Sequence, residues 1–411
     1  MAVDPDASQF ILKNSQTFRK CNDFVPSRKL KDEIGLSIVV ANDDDWRRHR
    51  SFSNSAFTTD SYKSYYPSFV EITNKFISKL SQLKGEDINF TPWSSRYTLD
   101  VLGKSMFHYD FQNLDSESDE YYNAYREVMD NMVSRNLHAV LLAIFPFIEK
   151  LPLSANNHLH NSLRKLIFLF DKVIAERNKG ETEKYGDILD HLLEGNQDNA
   201  LSRTEFVSDL AAFFIAGHET TASALCWAVV ELAERKEVQE RLYEEIVREY
   251  GEGVPDFEEL HHNTLPYLDW FIKENLRMHA PVNLFPSRIA VADAAYKNQV
   301  IPKGSYIGFA TDVIHYHPDF WEEPEKFDPE RFSPERKKGR HKFAYQPFSL
   351  GARQCIGMDF SELEQKLFLV KLLQNFQVVP PETLPKTDLK EPIPFGKLPI
   401  SNIRLLPRQS T

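Results

Sequence analysis

The chain has 411 residues, 42% of them hydrophobic, which is enough apolar material for a large buried core. A net charge of −11 argues against a nucleic-acid binder. Three cysteines, Cys21, Cys226 and Cys355, are too few and too scattered for a disulfide framework, so a reducing, cytosol-facing setting fits.

No linker, repeat or low-complexity tract divides the chain, and residues 1–411 read as one domain. The longest apolar run, Ala139 to Ile148, is too short to span a bilayer and contains Pro146. No stretch has the pattern of a signal peptide. Asp4-Pro5, followed by Ala7, Phe10, Ile11 and Leu12, reads as a capped helix start. Trp46-Arg-Arg-His-Arg50 puts an indole and a guanidinium at i and i+4 on one helical face, where both reach one anion. The plainer reading is a solvated basic helix with a Trp anchor. Residues 62 to 110 look helical, with Leu99, Val101, Leu102 and Met106 on a buried face. Asp115 to Asp119 reads as an acidic loop, and Tyr121 to Ile148 as a helix.

Ser202-x-x-Glu205 is a capping box, and a helical pattern runs from it to about Arg235. At ~1.5 Å per residue that is about 50 Å, enough to cross a domain. In its middle lies Ala216-Gly-His-Glu-Thr-Thr221, where small residues let a planar group lie against the helix and Glu219 and Thr220 pair an acid with a hydroxyl. The alternative is a polar break in a core helix, with the Glu paired elsewhere. Pro266 opens a further helix that ends before Pro281, and within it Glu274 and Arg277 share a face. Short β-prone pieces follow at 288–291, 299–301 and 306–310. His261-His262 reads as loop, and His315 and His317 as ordinary polar or core residues. Arg336 to Lys342 is a basic run, either a solvated loop or, with Arg47 and Arg48, a docking patch.

The chain is organised around Phe348-Ser-Leu-Gly-Ala-Arg-Gln-Cys355-Ile-Gly357. A helical pattern from Met358 to Phe376 places Cys355 near a helix N-terminus, where the macrodipole and unpaired N–H groups favour a thiolate. Gly351 allows the turn, Gly357 a close approach by a flat cofactor, and Phe348 shields the sulfur. Arg353 is placed to meet a carboxylate. The plainer reading is a buried structural cysteine.

This stretch resembles the haem-binding signature of the cytochrome P450 family, Phe-x-x-Gly-x-Arg-x-Cys-x-Gly, at every position. The upstream motifs match the family in order: Trp46 with Arg50, the stretch around Thr220, Glu274 with Arg277, and Pro329-Glu-Arg331-Phe. The resemblance implies a mainly α fold with a small β portion and one haem b with Cys355 as axial thiolate. It implies Gly217 against the ring, with Glu219 and Thr220 relaying protons beside its distal face. Trp46, Arg50, Arg288 and Arg353 would hold the propionates. A Glu274–Arg277–Arg331 triad would brace the segment leading to Cys355. Phe213, Phe214, Ala216, Val282, Leu284 and Phe285 would line an apolar pocket, and Ile393 to Ile400 its last turn.

The activity implied is monooxygenation of a hydrophobic small molecule, with electrons from NADPH through a cytochrome P450 reductase or similar donor. Eukaryotic members usually carry a membrane anchor, a proline-rich hinge, a first helix and first strands ahead of this point. The expected fold is the family's without them, leaving an open sheet edge. Membrane association at the endoplasmic reticulum is the family's expectation, with no spanning segment in this chain. Two alternatives stay open: a peroxygenase or isomerase on the same haem, and a shortened relic that is not an enzyme.

Overall fold

The computed structural model describes residues 3–21, 27–115, 120–133, 137–179, 184–197, 200–387 and 398–408. Helix α1 (Pro5–Lys13) starts where expected, because the Asp4 carboxylate accepts the Ala7 N–H at 2.8 Å and Pro5 needs no donor partner. Strand β1 (Phe18–Lys20) and helix α2 (Arg28–Ile34) follow. Helix α3 (Asp43–Asn54) opens on three aspartates that complement its dipole. The helical region expected over 62–110 is split into α4 (Thr59–Ser81) and α5 (Thr91–Met106) by strand β2 (Asp87–Asn89). Lys84 and Gly85, both at positive φ, turn the chain there.

The helix expected over Tyr121–Ile148 is divided into α6 (Glu120–Val133) and α7 (Leu137–Ile144). It stops at Ile144 because the residue before Pro146 is disfavoured in helix. Most of the expected acidic loop, 116–119, lies outside the described residues, as do 393–397 of the expected last pocket turn. Helices α8 (Ser154–Lys179) and α9 (Ile188–Gln197) lead to α10 (Arg203–Glu234), whose capping box is formed in both directions. Helix α10 is long and apolar enough to cross a membrane, but it is buried as the core of the fold.

Helices α11 (Lys236–Tyr250), α12 (Phe257–His261) and α13 (Pro266–Met278) come next, so His261 ends a helix instead of lying in a loop. Strands β3 (Leu284–Ala290), β4 (Ala294–Tyr296), β5 (Gln299–Ile301) and β6 (Tyr306–Ala310) are followed by short helices α14 (Thr311–His315) and α15 (Pro334–Lys337). Helix α16 (Met358–Asn375) and strands β7 (Phe376–Val379) and β8 (Asn402–Pro407) complete the chain. The described residues form three small antiparallel sheets, ordered β1-β3-β6, β2-β8-β7 and β4-β5. The architecture is mainly α with a small β portion.

The largest apolar cluster joins α4, α5, α10 and α16. Phe76 stacks on Tyr97 and Phe368 at ring distances of 4.9 and 5.6 Å. Such offset rings add about 0.5–1.5 kcal/mol per pair beyond their buried area. This cluster fixes α10 relative to α16, and so to the cysteine that precedes it.

Candidate active site

Cys355 lies between a tight turn, Gly351–Arg353, and the start of α16. Its N–H donates to the Phe348 carbonyl at 2.9 Å, so the half-buried Phe348 meets it through the backbone. Gly351 holds φ 78, a conformation that asks for glycine. At Gly357 an added Cβ would meet only Phe57, at 3.8 Å. By surface area Cys355 is exposed, yet it sits deep enough in the protein mass for burial to push its thiol up. The Gly357 N–H and the Arg50 guanidinium pull the other way without prevailing. Desolvation thus works against the helix N-terminus, which favours a thiolate, and a bound cation would add to the side of the ionised sulfur.

Helix α10 is buried along most of its length, but Ala216 at its middle is exposed, and Gly217 and Thr220 are half-buried. The Thr220 hydroxyl donates to its own helix, to Ala216 O at 2.8 Å. One residue on, the Thr221 and Ser361 hydroxyls lie 2.9 Å apart, tying α10 to α16 near Cys355. Phe57, the side chain nearest Gly357, stacks on Phe213 at 5.7 Å.

A Cβ at Gly217 would stand 2.7 Å from Leu102 Cδ1, so packing against α5 also calls for a small residue there. One expectation for this stretch needs correction. Glu219 does not stand beside Thr220 as one acid–alcohol pair. Consecutive helical residues point about 100° apart, and Glu219 turns to α6. There its carboxylate accepts the Tyr125 hydroxyl and pairs with the Arg126 guanidinium. Burial pushes that carboxyl up to about 8. Phe213 and Phe214 are buried in the core, and Val282 is half-buried. The side chains of Leu284 and Phe285 lie outside the described residues.

Arg50 of α3 donates to Asn54 Oδ1 at 2.8 Å and to Gln354 O at 3.3 Å, linking that helix to the cysteine turn. Arg353 lies 4.2 Å from the Trp46 ring centre and donates to Ala41 O at 2.6 Å. Arg288, on β3, is 4% exposed, and its Nε has no hydrogen-bond partner. Burial lowers Arg288 and Arg353 to about 10, and the Arg288 cation adds to the lowering at Arg353. Lys20, unnoticed in the sequence, joins them from β1. No ion pair to a carboxylate is formed by Arg50, Arg288, Arg353 or Lys20 among the described residues. Buried cations without counter-charge are costly. A ring bearing two carboxylates fits this donor set, and the sulfur of Cys355 fits its metal.

The buried carboxylate of Glu274 accepts Arg277 Nε and Nη2 at 2.7 and 2.8 Å, and Arg331 Nε at 3.3 Å. Arg277 also donates to His315 O at 2.9 Å. His315 Nε2 in turn accepts the Gln346 N–H at 2.9 Å, two residues before Phe348. Burial lowers His315 to about 3, so it is neutral and serves as a core residue. The basic run is divided in its duties. Arg336 pairs with Asp328 at 2.7 Å, and Arg340 lies over Trp321 at 4.1 Å, while Lys337, Lys338 and Lys342 are exposed. Arg47 pairs with Asp44, and Arg48 with Asp45 and Glu205, so the proposed basic patch is partly neutralised.

A helical fold that holds one cysteine in the turn before α16, ties that helix to its central helix through Thr221 and Ser361, and brings Arg50, Arg288 and Arg353 near that turn has the layout of a haem-thiolate protein. The family model for cytochrome P450 matches residues 1–405. Cytochrome P450 4F12 from Homo sapiens is 32% identical over 413 residues, which cover 94% of this chain and 76% of that protein. Cytochrome P450 4A10 from Rattus norvegicus is 31% identical over 414 residues, covering 97% and 78%. The solved cytochrome P450DA heme domain superposes with a TM-score of 0.83 at 24% identity, covering 99% of this chain and 87% of that one, which supports the fold. The chain belongs to the cytochrome P450 family. It is a haem-dependent monooxygenase of organic substrates, and the family's cofactor is haem b on a cysteine thiolate.

Proposed function

We propose that Cys355 is the axial ligand, that Trp46, Arg50, Arg288 and Arg353 hold the propionates, and that the substrate is a hydrophobic small molecule. Bound haem supplies the redox chemistry that places one atom of dioxygen in the substrate and releases the other as water. The chain's own residues orient and protect that chemistry. The cations neutralise the ring's carboxylates, and Gly351, at φ 78, makes the turn that precedes the sulfur. Thr220 holds a hydroxyl at the accessible stretch of α10, from which a proton can move. Glu219 is buried beside Arg126, which is 29% exposed, so its carboxyl can take up and release a proton close to solvent while the guanidinium only stabilises the anion. The Glu274–Arg277–Arg331 cluster fixes one geometry for the segment before Cys355. All these roles fall within the one domain read over 1–411.

The observation that carries this reading is the buried Arg288, whose Nε has no hydrogen-bond partner, near Arg353, which stands two residues from the exposed thiol of a complete ten-residue signature. The test is the absorption spectrum of the reduced, carbon-monoxide-bound protein. A thiolate ligand shifts the main band to the red. Cys355→Ser is expected to lose that shift while keeping the helical circular dichroism of the parent, and a variant with the parent's spectrum would overturn the assignment.

NADPH with a reductase is the electron source in this reading, and Lys337, Lys338 and Lys342 are the exposed cations available to an acidic donor. NADPH consumption that needs the reductase and falls with salt would support it. The endoplasmic reticulum membrane is the proposed location. Ile144, Phe145, Phe147, Leu151 and Leu153, each at least 42% exposed, form a run of apolar side chains that favours a lipid surface.

A further inference from the structure

At Ala216-Gly217, just before Thr220, helix α10 carries almost no side chain. A serine or threonine inside a helix commonly turns its hydroxyl back to the carbonyl four residues earlier. Thr220 does so, to Ala216 O, and Ser105 of α5 does so, to Val101 O at 2.6 Å. Thr221 and Ser361 turn to each other instead, and their hydroxyls lie 2.9 Å apart in a buried contact. Among the described residues this is the one side-chain hydrogen bond between α10 and α16. Gln365, fully buried one turn further along α16, donates from Nε2 to Ser361 Oγ at 3.1 Å. That fills an acceptor site of Ser361 and leaves its own proton for Thr221.

Ser361 lies in the first turn of α16, where its N–H donates to Gly357 O at 2.9 Å, so it is joined through a short stretch of backbone to the turn that holds Cys355. Thr221 is the residue after Thr220. The next fixed point on α10 is Ala224, whose carbonyl accepts Asn275 Nδ2 from α13 at 2.9 Å. A buried hydroxyl pair resists separation, because each partner left alone loses its hydrogen bond without gaining one from water. The two helices are thus pegged together at a point that adjoins both the cysteine turn and Thr220. We infer that Ser361 is a positioning residue for the proposed monooxygenation: by holding Thr221 it fixes where the Thr220 hydroxyl stands relative to the cysteine turn. This role rests on the reading of Cys355 as ligand and Thr220 as proton donor given above.

The test uses the reduced, haem-loaded protein with carbon monoxide as the probe, read by the infrared stretch of the bound gas. Thr220→Ala defines the band position without the hydroxyl. In Ser361→Ala the component at that position is expected to grow about fivefold over the parent, the weight of one neutral hydrogen bond. Thr221→Ser, which keeps the hydroxyl, should match the parent. Ser105→Ala, which removes a buried hydroxyl away from the peg, should match it too. The decisive arm adds Ser361→Ala to Thr220→Ala, where it should move nothing further. A parent-like band in Ser361→Ala overturns the proposal. So does a shift of the same size that persists without the Thr220 hydroxyl, which would mean that Ser361 acts through the sulfur or the fold. Urea melts check the bond itself: Thr221→Val combined with Ser361→Ala should lose no more than the worse single variant, and losses that add overturn the pairing. If Ser361→Ala fails to fold, Thr221→Val, which removes the same bond from the other side, goes through the same arms. Failure of the underlying reading shows separately, as a Thr220→Ala band equal to the parent's or as a missing red shift in the parent itself.

Discussion

Glu219 is pulled in two directions. Burial pushes its carboxyl from an ordinary 4.5 up to about 8, while the Tyr125 hydroxyl and the Arg126 cation favour the anion. His218, lowered by burial to about 4, adds no charge nearby at neutral pH. The sign follows from proton counting. Between the two values the folded chain holds a proton that the unfolded chain has lost, so stability falls as pH rises through that window, at most by about 1.4 kcal/mol per pH unit. Glu219→Gln is therefore expected to flatten the decline of melting temperature between about pH 5 and 8, and Arg126→Gln to move it higher. Superimposable melting curves for Glu219→Gln and the parent would refute the shift. Thr220 has a different test. Thr220→Ala should leave NADPH oxidation running while product falls about a hundredfold, the lower range for a lost proton-transfer group. A product yield that stays tied to NADPH would remove Thr220 from the relay.

Between elements, the buried ion cluster and the helix contacts make separate claims. Glu274→Gln leaves two guanidiniums, both under 5% exposed, short of their carboxylate. Breaking a buried pair on one side costs about 3–5 kcal/mol. The expected result is a lower denaturation midpoint together with faster haem loss, because the cluster reaches the Cys355 segment through His315 and Gln346. Gly103 in α5 is the sharper packing test. A Cβ there would lie 2.2 Å from the Phe111 ring and 2.8 Å from the Tyr109 carbonyl, which is backbone and cannot swing away. Gly103→Ala would gain about 1 kcal/mol of helix propensity and lose about 1–3 kcal/mol to overpacking. Net destabilisation is expected, and a variant more stable than the parent in a urea melt would show that the 107–111 turn can yield.

At the scale of the whole molecule, the exposed apolar run from Ile144 to Leu153 and the exposed lysines Lys337, Lys338 and Lys342 are the surfaces that the proposed lipid and donor contacts would use. Ile144→Glu with Phe147→Glu should cut sedimentation with neutral phosphatidylcholine vesicles severalfold and leave reductase-driven turnover in detergent unchanged. Unaltered sedimentation would detach this patch from the membrane.

What the sequence determined by itself was set within a few residues along the chain. Asp4 with Pro5, the Ser202–Glu205 box, Pro266, and the signature from Phe348 to Gly357 act through contacts between near neighbours, so helix starts, the long α10 and the candidate metal ligand were all legible. The mainly helical class was implied by the family resemblance that the signature carries. The tertiary structure alone decided which way each polar side chain faces. Glu219 and Thr220 are adjacent in sequence, and only the packing of α6 on α10 sends them to different surroundings. Lys20 and Arg288 lie far apart along the chain, and only the β1–β3 register sets them side by side. Local propensity carries no term for that pairing: it depends on which distant segments bury their apolar faces together, and that is settled by the core as a whole.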